Sequence, residues 1–342
     1  MTKPLAVVVA GGGTGGHLYP ALAILEHLDA YALFLPSERA IDERVLSAAG
    51  VERRPLKAKP FSTKPIGLLK FMASWAPSVR AARETIRELQ ASGHRVVMLA
   101  TGGFVAAPAV QAARVERVPV VLINLDDPPG KANRVVAKHA RTVLSAAGHD
   151  EAMRRNWIPI PPIVRAAARA PGEPAECRQQ IGLDPDRPTL FATGGSQGAR
   201  TLNDVVLTLA ERGDLEGWQV VHQSGEDDQE RVEGRYRELG VPSVVRGLID
   251  DVGGAWGAAD LAIARAGAGA VAEVWANAVP TAFLPYPFHA DEHQRRNAEP
   301  LVQAGGAVVV RDHKDAQSTL AAAGDTFTHL FRDPGRRASL QA

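Results

Sequence analysis

Apolar residues fall along this chain in two rhythms. Short unbroken runs at Leu5 to Ala10, Tyr31 to Leu35, Arg95 to Ala100, Val118 to Leu125 and Thr142 to Ala146 have the length and β-branched content of parallel strands buried on both faces. Between them apolar positions recur at helical spacing, as at Ala21, Leu22, Ile24, Leu25 and Leu28. Glu38 to Ala49 reads as a helix with Gly50 as its C-cap. The alternation then restarts. Strands are expected at Thr189 to Ala192, Trp218 to Gln223, Val244 to Arg246, Leu261 to Ala264, Pro280 to Pro285 and Val308 to Val310. Helices fall between them, including Ala270 to Ala276, and residues 316 to 342 read as helix interrupted by Pro334. Asp250 is the expected N-cap of the helix after Arg246. Such alternation predicts α/β architecture with parallel sheets.

The two halves meet at Trp157 to Arg169. There Pro159, Pro161 and Pro162 in an apolar context predict a stiff extended connector. The expected division is 1–165 as an N-terminal Rossmann-like domain, 166–320 as a C-terminal one, and 321–342 as a helix packing back on the first. A length of 342 residues suits two domains.

Glycines mark the strand ends. Gly11, Gly12, Gly13, Gly15 and Gly16 follow the first strand and open a helix. Such loops let backbone N–H groups close on a phosphate at a helix N-terminus. His17 sits at that helix start. The spacing also fits G-x-G-x-x-G, so a dinucleotide dehydrogenase stays open, although the second strand ends in Pro36 and Ser37 rather than in a ribose-binding acid. A second turn carries Thr101, Gly102 and Gly103. The second half repeats the device with Gly194, Gly195, Ser196, Gln197 and Gly198, then again with Arg265, Gly267 and Gly269. Duplicated units of this kind predict two Rossmann-like domains facing a cleft.

Composition narrows the class. Lys plus Arg total 39 and Asp plus Glu total 38, so charge gives no argument for nucleic acid. A single cysteine, Cys177, excludes an internal disulfide framework and fits a reducing compartment. The N-terminus does not read as a signal peptide, and no apolar run approaches the roughly 20 residues of a spanning helix. The expectation is a soluble or peripheral protein.

Other stretches carry candidate chemistry. Phe61, Leu68, Leu69, Phe71, Met72 and Trp75 lie among Lys57, Lys59, Lys64, Lys70, Arg80 and Arg83. These are the ingredients of an interfacial membrane contact, and equally of a helix packed on its own core with a basic solvated edge. Glu273, among Val271, Val274 and Trp275, can accept two hydrogen bonds from a vicinal diol such as a ribose. Asp126 and Asp127 precede two prolines and read as a turn device rather than a metal pair. His289, Asp291, Glu292, His293, Gln294 and Asn297 crowd one loop after a strand. The His289–His293 spacing is a ligand spacing, but the E-x-x-H partner is absent.

Taken together, the motifs resemble one family. G-G-T-G-G-H-L-Y-P-A-L-A at 12–23, T-G-G-F at 101–104, G-G-S-Q-G-A-R-T-L-N at 194–203, G-L-I-D-D-V at 247–252, R-A-G-A-G-A-V-A-E at 265–273 and H-A-D-E-H-Q-R-R-N-A at 289–298 are similar, in order, to the signatures of the MurG family. These are the N-acetylglucosaminyltransferases of peptidoglycan synthesis, within glycosyltransferase family 28. The resemblance spans nearly the whole chain.

It implies a GT-B fold and transfer of GlcNAc from UDP-GlcNAc to the muramoyl 4-hydroxyl of lipid I. The product is lipid II, with inversion and with no cofactor or required metal. His17 is the candidate catalytic base for the acceptor hydroxyl, its pKa range suiting the role, or else a group that only binds phosphate or acceptor. By the same resemblance, Thr14, Gly15, Gly16, Arg165, Gly195, Ser196, Gln197 and Gly198 serve the diphosphate. Ile249 and Val252 meet the uracil, Glu273 the ribose, and Ala268, Gly269, His293 and Gln294 the rest of the donor. Gly102, Gly103, Asp126 and Asn133 serve the acceptor. The tethered acceptor favours the interfacial reading of Lys64, Leu68, Leu69, Lys70, Phe71, Met72 and Trp75. The implied setting is peripheral, on an anionic surface at the cytoplasmic face of the inner membrane. The chain departs from the family pattern H-E-Q-N at Ile123, Asn124, Leu125 and Asp126, at His293 where a glutamine is typical, and at Ala266 where a serine is common. A related GT-B enzyme with another sugar or acceptor, a dehydrogenase, and a non-catalytic nucleotide-binding module therefore remain open here.

Overall fold

The computed structural model describes residues 3–147, 155–195, 198–288 and 291–340. The chain divides into two compact units, Met1–Arg165 and Ala166–Ala342. Each is built on one all-parallel sheet.

The first unit has seven strands: β1 (Leu5–Gly11), β2 (Tyr31–Phe34), β3 (Glu52–Arg53), β4 (Arg95–Gly102), β5 (Val120–Asn124), β6 (Thr142–Ser145) and β7 (Ile158–Pro159). Their order is β3-β2-β1-β4-β5-β6-β7. This is the doubly wound order, whose strand direction of travel reverses between β1 and β4. The apolar runs form central strands because both faces are covered: Ala6, Val8, Val9 and Ala10 are fully buried. Helices α1 (Gly15–Leu25), α2 (Ala40–Ala48), α3 (Pro65–Ala91), α4 (Ala106–Val115) and α5 (Lys131–Ala137) make the crossovers.

Two strands differ from the sequence expectation. β3 falls in a basic, proline-broken stretch, and β7 falls in the expected connector. Both are two-residue edge strands. Pro159 is tolerated because an edge strand need not donate on its outer side.

The second unit repeats the plan with β8 (Thr189–Thr193), β9 (Gln219–Gln223), β10 (Ser243–Arg246), β11 (Leu261–Ala264), β12 (Thr281–Phe283) and β13 (Ala307–Val309), in the order β10-β9-β8-β11-β12-β13. Its helices are α6 (Pro174–Gln180), α7 (Arg200–Glu211), α8 (Gln229–Glu238), α9 (Val252–Ala258), α10 (Ala268–Asn277), α11 (His293–Gln303), α12 (Ala316–Arg332) and α13 (Pro334–Ala338). Residues 321–342, expected to pack back on the first domain, fall within the second unit. Phe327, Leu330 and Phe331 of α12 and Leu340 are buried in the second unit's own core with Leu202 and Val206 of α7. Trp218 holds them there, edge-on to Phe331 at 5.2 Å. Asp250 is not the N-cap of α9; Asp251 is, its carboxylate accepting from Gly254 N–H at 3.1 Å.

Helix α3 buries only its C-terminal half, through Ser78, Ala82, Thr85, Ile86 and Leu89. No helix among the described residues is long and apolar enough to cross a membrane.

Candidate active site

In each unit the glycine loops follow the two strands at the switch point, β1 and β4 in the first and β8 and β11 in the second. Ligands of open α/β sheets bind at this place.

In the first unit, β1 and β4 run in register as far as Ala10 and Ala100, then shift so that Gly11 faces Gly102. The shift brings Thr101 against the start of α1. Thr101 is buried and grips His17 twice. Its hydroxyl donates to the His17 carbonyl at 2.6 Å, and its own carbonyl lies 3.1 Å from His17 Nδ1. A carbonyl only accepts, so Nδ1 carries the proton and Nε2 keeps its lone pair. Burial lowers the His17 pKa from its ordinary value, against the opposing charges of Asp126 and Asp42 and the Thr101 hydrogen bond. The imidazole is therefore neutral at pH 7 with a basic nitrogen available. This is the state a general base requires.

Gly102 and Gly103 form the wall behind the ring. A Cβ at Gly102, where φ is +113°, would lie 2.9 Å from His17 Cε1 and Nδ1 and 3.0 Å from Asn133 Oδ1. Asn133 is buried and donates to Asn124 Oδ1 at 3.3 Å. Asn124 in turn donates to the Asp126 carbonyl and to Ser145 Oγ, both at 3.0 Å. His17, Gly102, Gly103, Asn133 and Asp126 thus form one cluster. Thr101 and Asn124 complete it. Sequence reading noted both positions without seeing that one orients the His17 imidazole and the other ties the wall together.

Thr14 is the N-cap of α1 and makes no side-chain cap bond, so Gly15 and Gly16 open an uncapped helix. Arg165, the last residue of the unit, stacks on Tyr19 with its guanidinium 4.1 Å from the ring centre.

In the second unit, Gly195 N–H donates to Thr193 Oγ1 at 3.1 Å. A Cβ on Gly198 would lie 2.5 Å from the Ser224 carbonyl, so the loop closes tightly on β9's end. Ser196 and Gln197 lie outside the described residues. Gln223, which sequence reading missed, joins two parts of the site. Its amide donates to Thr193 Oγ1 at 3.2 Å, and its carbonyl accepts from Ile249 N–H at 3.0 Å. Val252 opens α9. Ala268 and Gly269 open α10, whose N-cap, Gly267, offers no side-chain cap. Glu273 accepts from the buried Trp256 indole at 2.9 Å. Trp275, by contrast, is 48% exposed. Gln294 accepts from Tyr286 N–H at 2.9 Å, and His293 Nδ1 pairs with Asp291 at 2.9 Å. His289 lies outside the described residues. Among the described residues no group of three or more His, Cys, Asp or Glu has the arrangement of a metal site.

The α3 stretch divides its apolar residues by face. Phe71 and Trp75 are partly buried. Phe71 sits edge-on to Phe61 and Trp75, and the Trp75 indole donates to Gln111 of α4. The outward residues are Ile66, Leu69 and Met72, at 72%, 68% and 63% exposure, with Phe61 and Leu68 beside them. Lys64, at the N-cap of α3, and Lys70, in its second turn, are exposed.

The two units have counterparts in known proteins. Residues 7–145 match the glycosyltransferase family 28 N-terminal domain, and residues 189–331 match the glycosyltransferase family 28 C-terminal domain. A Nocardioides protein named UDP-N-acetylglucosamine–N-acetylmuramyl-(pentapeptide) pyrophosphoryl-undecaprenol N-acetylglucosamine transferase is 36% identical, over 99% of this chain and 92% of its own. A Mycobacterium protein of the same name is 35% identical, over 100% of this chain and 91% of its own. The crystal structure of Acinetobacter baumannii MurG has a TM-score of 0.69 at 22% identity, covering 99% of this chain and 94% of that one, a likeness of fold. Two family domains matched in order, and relatives of this identity along the full length, make this α/β GT-B chain a member of glycosyltransferase family 28.

Proposed function

We propose that this chain transfers GlcNAc from UDP-GlcNAc to the muramoyl 4-hydroxyl of undecaprenyl-linked lipid I, giving lipid II. The observation that carries the reading is the state of His17. Its Nδ1–H is committed to Thr101, which leaves the Nε2 lone pair free to accept a proton, and it stands at a glycine loop of the switch point. The relatives' shared name supplies the reaction.

In this reading Nε2 takes the proton of the acceptor hydroxyl as its oxygen bonds to the anomeric carbon. The bond from that carbon to the diphosphate oxygen breaks on the opposite face, so the configuration inverts. UDP leaves with the electron pair. In this reading its charge is met at the start of α1, by Thr14, Gly15 and Gly16, and the diphosphate is also served by the loop positions Gly195, Ser196, Gln197 and Gly198 and by Arg165. Ile249 and Val252 line the uracil, and Glu273 accepts from the ribose. Ala268, Gly269, His293 and Gln294 serve the sugar. Gly102, Gly103, Asp126 and Asn133 shape the acceptor side.

The acceptor is tethered in a lipid surface, and Ile66, Leu69 and Met72 ringed by Lys64 and Lys70 suit an anionic one. We assign the chain a peripheral place at the cytoplasmic face of the inner membrane.

The Asn124–Asp126 wall favours one second reading, the same chemistry on a different acceptor or sugar. Calorimetry with UDP-GlcNAc, UDP-GalNAc, UDP-glucose and NADH tests the donor side. Selective binding of UDP-GlcNAc supports the proposal. UDP-sugar binding without preference for GlcNAc moves it to the second reading, and NADH binding alone overturns it.

A further inference from the structure

Helix α2 buries a carboxylate that the proposed chemistry does not use. Asp42 has 0% exposure. It accepts from Gly13 N–H at 2.8 Å to each oxygen, from Ser37 N–H at 2.9 Å and from the Ser37 hydroxyl at 2.6 Å. All of these donors are neutral. The nearby guanidinium of Arg39 donates instead to the Gly13 carbonyl at 2.8 Å. A carboxylate held in a core by neutral donors is costly, and a packed apolar side chain would fill the space more cheaply.

Its position accounts for the charge. Gly13 is clamped at both ends, N–H by Asp42 and C=O by Arg39. Gly12 has no room on the same side, since a Cβ there would lie 2.5 Å from Asp42 Oδ2 and 2.9 Å from Ser37 N. The other side of Gly12 presses its carbonyl on Gly103, and a Cβ on Gly103 would lie 3.3 Å from His17 Cδ2. One backbone thickness therefore separates Asp42 from the turn that backs the imidazole. We propose that Asp42 is a positioning residue for His17, clamping the first glycine loop against the Gly102–Gly103 turn so that the base keeps its place.

The proposal rests on His17 being the base. The groups acting on the ring are the Thr101 carbonyl, in contact with it, and the charges of Asp126 and Asp42, with Asn133 beside the Gly102 wall and Arg39 on the loop toward Asp42. The charges of Asp126 and Asp42 both favour protonated His17. Removing either carboxylate therefore moves the acid limb of kcat/KM to lower pH.

The experiment compares the full chain with Asp42→Asn, Asp42→Glu and His17→Ala, using UDP-GlcNAc and a short-chain lipid I analogue. Asp42→Asn keeps the shape and loses the charge. It is expected to lower kcat about 10-fold, leave the UDP-GlcNAc KM within about 2-fold, and shift the acid limb down. Asp42→Glu keeps the charge and displaces the clamp, so kcat falls while the limb stays. Wild-type kcat and an unshifted limb in Asp42→Asn overturn the proposal, as does a loss explained wholly by a smaller folded fraction. Should Asp42→Asn not fold, wild-type turnover in Asp42→Glu overturns it instead. His17→Ala separates the two levels. Full turnover there fails the base assignment itself, whereas a dead His17→Ala beside an unaffected Asp42→Asn fails only the role of Asp42.

Discussion

Replacing Gly102 by alanine is a sharp probe of the first unit's cluster around His17, because it adds one methyl group and no charge. Gly102 has φ of +113°, in the half of backbone space that L residues rarely adopt. Strain of that kind costs about 1–3 kcal/mol. The new methyl would stand 2.9 Å from His17 Cε1 and Nδ1 and 3.0 Å from Asn133 Oδ1. Carbon contacts rest at about 3.5–4.0 Å, so the ring must retreat by roughly 0.6–1 Å. That movement breaks the 3.1 Å bond from Nδ1 to Thr101, which fixes the tautomer. A displacement near 1 Å costs about 100-fold in rate. Gly50→Ala is the control: φ there is +63° and nothing lies within 4 Å of the added Cβ. Both variants should lose stability by about 1 kcal/mol or more, read as a lower urea midpoint. Only Gly102→Ala should lose kcat in a labelled-GlcNAc transfer assay. Equal kcat in the two variants would refute the argument that His17 acts from this position.

Three further outcomes follow from other parts of the chain. Glu273→Gln should raise the donor KM about 10-fold by weakening ribose recognition, with Trp256 still packed; unchanged UDP affinity in calorimetry counts against the placement. Ile66→Ser with Leu69→Ser and Met72→Ser should abolish flotation with anionic liposomes while leaving the melting temperature near wild type, since these side chains are exposed; retention on the vesicles returns α3 to a simple surface helix. His222 is fully buried between Tyr236 and Asn203, and burial holds its pKa at about 3. The unfolded chain takes up a proton near the ordinary pH of about 6.5 that the folded chain refuses. Stability is thus fully present above that pH and falls toward pH 3, by up to about 1.4 kcal/mol per unit from this residue. Urea midpoints against pH should show that slope reduced in His222→Gln, and an identical slope contradicts it.

Much of this was legible in the sequence because strong local signals and tertiary structure agree. The strand, glycine loop and helix units at Leu5 and Thr189 were readable because buried parallel strands are unbroken apolar runs and their loops need glycine. Edge strands β3 and β7 were not, since both are two residues long and pair on one side only, Glu52–Arg53 being charged and Ile158–Pro159 lying in a proline-broken stretch. The division of α3 into an outward and an inward face was also hidden. Phe71 and Trp75 look like the best anchors by composition, yet they turn toward Phe61 and Gln111. Asp42 reads as an ordinary acid in a helix's first turn, and its burial depends on a loop 29 residues away. Gln223 and Asn124 likewise act through partners distant in the chain, where no spacing rule reaches.

The most direct test of the account is single-turnover transfer. Wild-type protein is mixed with UDP-GlcNAc and a short-chain lipid I analogue, and the products are resolved by mass spectrometry. The account predicts the β-linked disaccharide of lipid II and free UDP in equal amounts, with both lost in His17→Ala. UDP-GlcNAc bound without disaccharide, or disaccharide formed at full rate by His17→Ala, would contradict it.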